Sequence, residues 1–275
     1  DYLAGLVNGG TAHGKTAKGK TAAAPADKSW NSMGGRVEGF ESVFDPAGFK
    51  VEADLVKGLD PLFQWLLHTG KEALKTSQPT AKTGVPVVKT GVIIGNLSYP
   101  NRSLNKLAQQ HWFANSEDAK INPMNRFMSG YPAQLLANAL GLTGPAYCID
   151  AACASSLYAI KLACDALHSG EADRMLAGGI NGIDDLFLHV GFTGLSALSP
   201  SGQSRPFHKD ADGLIPATGA ALVCLKRLED AEADGDEILG LIRGIGLSND
   251  GQEGGLLAPS SAGQIAAMEA AYACS

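Results

Sequence analysis

An alternation of short apolar runs with helical segments predicts an α/β protein. Residues 90–95 (TGVIIG) and residues 174–179 (RMLAGG) are continuously apolar, which is typical of parallel strands that are covered on both faces. Helical stretches such as residues 132–141 separate these runs, and this order indicates βαβ units. We therefore expect a largely parallel sheet with helices on both of its faces.

Composition limits the class of protein further. The chain has 275 residues, of which 45% are hydrophobic, and a net charge of -6, so it can form one large or two small domains with a sizeable core. Nothing in it suggests a nucleic-acid partner. It lacks both a signal peptide and the apolar run of about 18 residues that a membrane span needs. We expect a cytoplasmic protein that does not enter a membrane.

The cysteines indicate neither a disulfide framework nor a metal site. Their number is odd and no C-x-x-C spacing occurs, which disfavours both disulfides and zinc. We therefore expect all five thiols to be reduced, at positions 148, 153, 164, 224 and 274.

Residues 150–170 (DAACASSLYAIKLACDALHSG) are the most informative stretch. A short strand in GPAYCID precedes Cys153, and residues 155–167 lack Gly and Pro, are apolar on most faces and predict a buried helix. The first turn of this helix would direct free N–H groups at Cys153 and favour the thiolate that attacks carbonyls. Cys153 is therefore a candidate nucleophile, although this local pattern also fits a cysteine that only packs. We expect Asp150, Ser155 and Ser156 to hold the turn by capping.

The same stretch resembles the nucleophile motif of β-ketoacyl synthases, D-T-A-C-S-S-S-L, at residues 150–157. Residues 199–230 are similar to the family's S-P-x-G-x-x-R-x-F-D-x-x-A-D-G stretch and the G-E-G-A that follows it. Further matches occur in order between about residue 34 and residue 273, at NALGLTGP (138–145), LAGGIN (176–181) and LSNDG (247–251). Within the family, the wording of residues 145–173 and 262–273 most resembles iterative type I polyketide and polyunsaturated-fatty-acid synthases.

This resemblance implies a thiolase-like fold, in which two related halves stack as a five-layered αβαβα sandwich that is normally dimeric. Residues 1–237 would form the N-terminal half and residues 238–275 the start of the C-terminal half. Residues 220–225 would be the closing strand of the first half, and residues 238–245 the first strand of the second. We expect a fragment truncated at both ends, which lacks the family's two histidines and lysine and has no condensing activity by itself.

The chemistry that the resemblance implies is that of a β-ketoacyl-[acyl carrier protein] synthase. Cys153 would accept an acyl chain from the phosphopantetheine arm of a carrier protein, and its own N–H would be one oxyanion donor. Decarboxylative Claisen condensation with malonyl-carrier protein would follow, in fatty acid or polyketide biosynthesis, with no cofactor and no metal. The expected partners are the acyl carrier protein, acyltransferase and other synthase domains, and a second copy of the chain.

Two other functions of the same fold stay open. The chain could be a non-catalytic partner of the chain-length-factor kind, but such relatives typically lack the nucleophile that Cys153 would supply. It could also be a thiolase or another acyltransferase, which would not be expected to carry the SPSGQSRPF and LSNDG stretches. Phe192, Leu195 and Leu198 are either core residues or residues near an acyl tunnel, and core packing is the better expectation.

Several positions depart from these patterns. His208 stands where the family has aspartate, which puts the hydrogen bonding of residues 205–213 in question, and Thr218 replaces a glutamate, which could leave a partner unsatisfied. The G-x-x-x-x-G-K-[ST] matches at residues 9–16 and 14–21 lack the flanking strand and helix of a phosphate-binding loop, so we expect a basic surface loop there. Surface or packing roles are expected for the other histidines, His13, His68, His111, His168 and His189.

Overall fold

The computed structural model describes residues 28–75, 77, 88–112, 121–183, 185–251 and 259–274. The two phosphate-loop matches in residues 9–21 lie outside these described residues. Among the described helices, none has the length and apolar character needed to cross a membrane.

A four-stranded sheet in the order β2-β1-β3-β4 organises the described part of the chain. Strand β1 pairs in parallel with β2 and with β3, and β4 is antiparallel to β3. The predicted α/β class is confirmed. The strands are β1 (Thr90–Asn96), β2 (Ala146–Ile149), β3 (Arg174–Asn181) and β4 (Gly219–Leu225).

Eight α-helices are described, together with three short 3₁₀ turns. The strands and helices expected at residues 90–95, 132–141, 155–167, 174–179 and 220–225 all occur within one or two residues of their expected bounds. The helices are α1 (Ala53–Lys57), α2 (Pro61–Lys75), α3 (Arg102–Trp112), α4 (Tyr131–Leu140), α5 (Ser155–His168), α6 (Asp185–Gly194), α7 (Leu228–Asp234) and α8 (Ser261–Ala273).

Helices cover both faces of the sheet, as predicted. Because side chains alternate along a strand, Val92 and Ile94 of β1 face the core formed with α2 and α4. Ile93 between them faces α5 on the other side. The α5 side is packed by small residues, which brings the helix close to the strands; they are Ala159, Ala163 and Ala166, with Leu167.

The expectation that α5 is buried on most faces is wrong. Only the stripe that contacts the sheet is buried, whereas the Leu157 side chain is 59% exposed. A helix packed on a single sheet buries a single stripe, and among the described residues no second layer covers the opposite side. The five-layered arrangement would place another sheet there.

Residues 238–245 do not form the strand that was expected there. A strand requires a hydrogen-bonded neighbour, and no described strand pairs with this segment. Its side chains are instead exposed, to 83% at Leu239 and 60% at Leu241. Helix α8 approaches it closely, because a Cβ placed on Gly244 would clash with the Ala271 carbonyl oxygen. The proposed boundary between residues 237 and 238 stays a prediction.

Candidate active site

Cys153 lies in the turn that joins β2 to α5, at the carboxyl end of the parallel strands. The strand ends at Ile149 and the helix begins at Ser155, so the cysteine precedes the first helical residue by two positions. Its side chain is exposed. In open α/β sheets this edge is where ligands bind. The predicted position of the cysteine is confirmed.

Hydrogen bonds from two side chains hold the turn. Ala152 has a left-handed backbone, with φ of 51°, and its N–H donates to Asp150 Oδ1 at 3.0 Å. The Ser155 hydroxyl accepts the Ala151 N–H at 2.9 Å and donates to the Ala152 carbonyl at 2.6 Å. Asp150 and Ser155 therefore hold the turn, as expected.

The expected mechanism, helix capping, is wrong. The N-cap residue of α5 is Ala154, and no side chain accepts a hydrogen bond from the first turn of the helix. Ser156 instead lies close to strand β3, since a Cβ added to Gly179 would lie 3.1 Å from the Ser156 Cβ. Its small side chain fits this close contact. The polar groups of the motif thus act on the turn before the helix.

Glycines in β1 and β3 give the start of α5 room to lie on the sheet. A Cβ on Gly95 would lie 2.6 Å from both the Ser155 carbonyl carbon and the Ser156 nitrogen, a distance at which the backbone has to shift. Sequence reasoning missed Gly95 and Gly179 as parts of this site. The available signal was glycine inside a strand, which often marks a close backbone approach.

The described cysteines differ in their surroundings. Burial raises the pKa of the Cys148 thiol to about 11, and burial also raises the pKa of Cys164 and of Cys224. Cys153 and Cys274 are exposed. Cys274 follows the last residue of α8, where carbonyl groups rather than N–H groups are free. Among the described cysteines, only Cys153 combines exposure with a helix start.

An open depression of about 350 Å³ lies beside this turn, at the carboxyl ends of β1 and β2. Its lining combines polar and apolar groups and includes the half-buried Cys148, but Cys153 does not line it. The lining residues are Asn96, Ser98, Ser129, Gly130, Cys148, Ile149 and Asp150. No group of three or more His, Cys, Asp or Glu side chains suited to a metal ion occurs in the described part of the chain.

The two departures from the family pattern have local partners. His208 Nδ1 accepts the Asp210 N–H at 3.1 Å, which is the bond to the residue two positions on that an aspartate would also make. Thr218 donates its N–H to the Gly35 carbonyl at 2.9 Å, and its hydroxyl lies 3.5 Å from the same oxygen. An unsatisfied partner of the missing glutamate is not identified among the described residues.

The remaining candidates mostly pack. His189 is fully buried, and its Nε2 lies 2.9 Å from the Met33 carbonyl oxygen, as a packing role requires. Leu198 is also fully buried, Phe192 is half-buried and Leu195 is 51% exposed. Core packing is thus confirmed for Leu198. An acyl tunnel beside Phe192 or Leu195 stays a prediction.

Comparison with known proteins gives consistent matches. The family described as "Beta-ketoacyl synthase, N-terminal domain" matches residues 1–231. A phenolphthiocerol/phthiocerol polyketide synthase of Mycobacterium tuberculosis is 34% identical over 252 residues, which are 91% of this chain and 13% of the relative. PKS-NRPS hybrid synthetase ATPKS of Aspergillus niger is 44% identical over 138 residues, 50% of this chain and 7% of the relative.

Solved structures agree. A structure titled "PfaC Keto synthase-Chain length factor" has a TM-score of 0.83 and 37% identity, and the match covers 92% of this chain and 29% of that one. The ketosynthase from module 6 of the bacillaene synthase of Bacillus subtilis 168 has a TM-score of 0.67 and 33% identity, covering 84% and 38%.

A thiolase-like α/β fold with a cysteine in the turn between strand and helix defines a class of acyl-transfer proteins. The chain belongs to the β-ketoacyl synthase family, and residues 1–231 match the N-terminal domain of that family. It spans 13% of the length of the mycobacterial polyketide synthase that it matches.

Proposed function

We propose that this chain carries the acyl-accepting site of a ketosynthase in a polyketide or fatty-acid synthase, with Cys153 as the nucleophile. The observation that carries the proposal is the exposed Cys153 thiol on a braced turn immediately before α5. The positive end of a helix dipole stabilises an anion at such a position. A thiolate is the form of cysteine that attacks thioesters.

The acylation step balances as a thioester exchange. The Cys153 thiolate attacks the carbonyl carbon of an acyl thioester on a carrier's phosphopantetheine, and a new C–S bond forms as the old one breaks. The pantetheine thiolate leaves and takes up a proton. The Cys153 N–H is proposed as one donor to the tetrahedral oxyanion. In the full reaction, a malonyl-carrier protein would lose CO₂ and its enolate would attack the carbonyl carbon of the Cys153 thioester. A C–C bond would form as the C–S bond to Cys153 breaks, which releases the Cys153 thiolate and leaves a β-ketoacyl thioester on the carrier.

A chain-length-factor role is the second candidate, because the PfaC structure's title contains that term. The exposed Cys153 favours the ketosynthase role over it, since a chain-length factor has no use for a nucleophile. A β-ketoacyl-[acyl carrier protein] synthase accordingly remains the finer enzyme class that we propose.

The proposed partners are an acyl carrier protein, other synthase domains and a second copy of the chain. The small share of each relative that the chain covers supports neighbouring domains. One exposed feature supports self-association, because strand β2 is an edge of the described sheet.

Thiol mapping tests the proposal. The protein is incubated with a fatty-acyl N-acetylcysteamine thioester or with iodoacetamide at pH 8, and each cysteine is quantified by peptide mass spectrometry. We expect acylation at Cys153, and alkylation of Cys153 to be at least about 100-fold faster than alkylation of the half-buried Cys148, whose pKa is raised to about 11. Cys274 is the control for exposure alone, and it is expected to be alkylated but not acylated. Equal labelling of Cys153, Cys148 and Cys164 in folded protein, or no acyl group on Cys153, would contradict the proposal.

A further inference from the structure

The Ser155 side chain closes a small ring of backbone around Cys153. Its hydroxyl accepts a hydrogen bond from the Ala151 N–H at 2.9 Å and donates one to the Ala152 carbonyl at 2.6 Å. Both partners precede the cysteine. Ser155 is 6% exposed, so water does not readily replace these bonds. The hydroxyl therefore adds its two bonds to two longer backbone bonds of the same turn, from the Ala154 N–H to the Ala151 carbonyl and from the Ser155 N–H to the Ala152 carbonyl, both at 3.2 Å.

This ring contains a backbone conformation that alanine does not favour. With φ of 51°, Ala152 is in the left-handed region, where a Cβ lies too close to the neighbouring carbonyl oxygen. Such a conformation persists only when the surrounding bonds hold it. Asp150 Oδ1 holds the N–H side of Ala152, and Ser155 holds its carbonyl side.

The Ser155 hydroxyl is not needed for the helix itself. Helix α5 has Ala154 as its N-cap residue without a side-chain cap, and the Ser155 bonds run backwards into the turn. Gly95 and Ser155 lie against each other through backbone atoms, which fixes the position of the helix start independently of the hydroxyl.

We propose that Ser155 is a positioning residue for Cys153: its hydroxyl keeps Ala152 left-handed and so holds the cysteine in its reactive position ahead of α5. This inference rests on the proposed function only for its consequence in acyl transfer. Its direct consequence concerns the reactivity of the Cys153 thiol, which is measurable without any synthase activity.

The test uses three variants and two readouts. Ser155→Ala removes both bonds of the hydroxyl and leaves the 3.2 Å bond from the residue 155 N–H to the Ala152 carbonyl. Ala152→Gly removes the cost of the left-handed conformation, and the double variant combines the two changes. The readouts are the rate of Cys153 alkylation by iodoacetamide and the rate of acyl transfer from a fatty-acyl N-acetylcysteamine thioester. Ser169→Ala is the matched control, because that hydroxyl donates to the carbonyl three residues earlier, Ala166, at the other end of the same helix.

Ser155→Ala is expected to slow both reactions about tenfold, since small displacements of a reacting group have effects of this size or larger. Ala152→Gly alone and Ser169→Ala are expected to react as the unsubstituted protein does. The double variant is expected to react within about threefold of Ala152→Gly, because glycine adopts the left-handed conformation without support. A purely structural role for Ser155 would not give this rescue.

Two results would overturn the inference: Ser155→Ala with unchanged Cys153 alkylation, or a double variant that is as slow as Ser155→Ala. If circular dichroism shows that Ser155→Ala does not fold, Ala152→Gly is compared with the double variant instead. A Cys153 alkylation rate that is tenfold lower in the double variant would also overturn the inference. Absence of acyl transfer in the unsubstituted protein, with normal alkylation, would defeat the proposed function and leave the positioning role measurable by alkylation.

Discussion

The two ends of helix α5 are anchored in different ways, at opposite edges of the sheet. At its start, near the carboxyl ends of the parallel strands, Cys153 is exposed on a turn held by the Ser155 hydroxyl. At its end, Arg227 Nη1 donates to the Leu167 carbonyl at 2.6 Å, and the adjacent Lys226 lies between two aspartates. Hydrogen bonds of the Ser155 hydroxyl and the Asp150 carboxylate hold the start, the proposed reactive end, and ion pairs lie at the other.

The difference follows from what each edge must do. A cation beside the last carbonyls of a helix is favourable, and Arg227 supplies it through the Leu167 carbonyl. The residue before it, Lys226, has its Nζ 2.5 Å from both Asp234 Oδ2 and Asp236 Oδ2, with a side chain only 8% exposed. At the start of α5, by contrast, no ion pair is described, and the turn that carries Cys153 is held by hydrogen bonds to Asp150 and Ser155. The comparison therefore suggests that stability and reactivity are separable along one helix.

The largest expected effect comes from removing the buried charge. Lys226→Met leaves Asp234 and Asp236 close together without their cation, and we expect the free energy of unfolding to fall by about 3 kcal/mol in urea denaturation. The alkylation rate of Cys153 in the folded variant should not change. Lys161→Met is the control, since Lys161 forms an exposed pair with Asp165 on α5 that should contribute less than about 0.5 kcal/mol. Slower alkylation in folded Lys226→Met would break the separation of the two ends.

The elements around the site were predictable because their patterns are local. Residues 91–95 and 175–179 are apolar without interruption since both faces of β1 and β3 are covered, and Gly170, with φ of 75°, ends α5 as a glycine can. Cys153 was found from the break between a strand and a helix.

Features that depend on distant neighbours were not predictable in this way. The contact between Gly95 and the backbone of Ser155 joins residues 60 positions apart and needs the sheet register. Residues 238–245 have the composition of a buried strand, but a strand also needs a partner, which the pattern of one segment cannot supply. The exposure of Leu157 could not be predicted for the same reason. Apolar residues on most sides of α5 do not indicate which other element covers each side.

A methyl group on Gly95 should disturb the reactive end alone. The new Cβ would meet Ser155 and Ser156 backbone atoms at 2.6 Å, so Gly95→Ala is expected to cost about 2 kcal/mol by overpacking and to slow Cys153 alkylation. Gly179→Ala is the matched control, because its nearest contact is the Ser156 Cβ at 3.1 Å, and its cost should be below about 1 kcal/mol. Equal effects of the two substitutions would show that α5 shifts freely on the sheet.

High pH should weaken the charged end selectively. Burial alone lowers the pKa of Lys226, but the hydrogen bonds and charges of Asp234 and Asp236 outweigh burial and raise its pKa above the usual value. A raised folded-state pKa means that the stabilisation is fully present below the unfolded value, about 10.4, and is lost as the pH rises through the folded value. We therefore expect the difference in unfolding free energy between the unsubstituted protein and Lys226→Met to shrink above about pH 10. A difference that stays constant to pH 12 would contradict this, and tyrosine ionisation, which both proteins share, cancels in it.

The smallest expected effect is a gain at the reactive end. Ala152→Gly removes a left-handed alanine conformation that destabilises the folded protein by about 1 kcal/mol. The greater conformational entropy of glycine in the unfolded chain offsets about half of this gain in stability. The net expectation is a stabilisation of about 0.5 kcal/mol, measured by urea denaturation. Ala151→Gly is the control of opposite sign, because φ of Ala151 is not positive and only the entropic loss applies there. A destabilised Ala152→Gly would mean that the turn stores no strain, and Ser155 would then have nothing to hold.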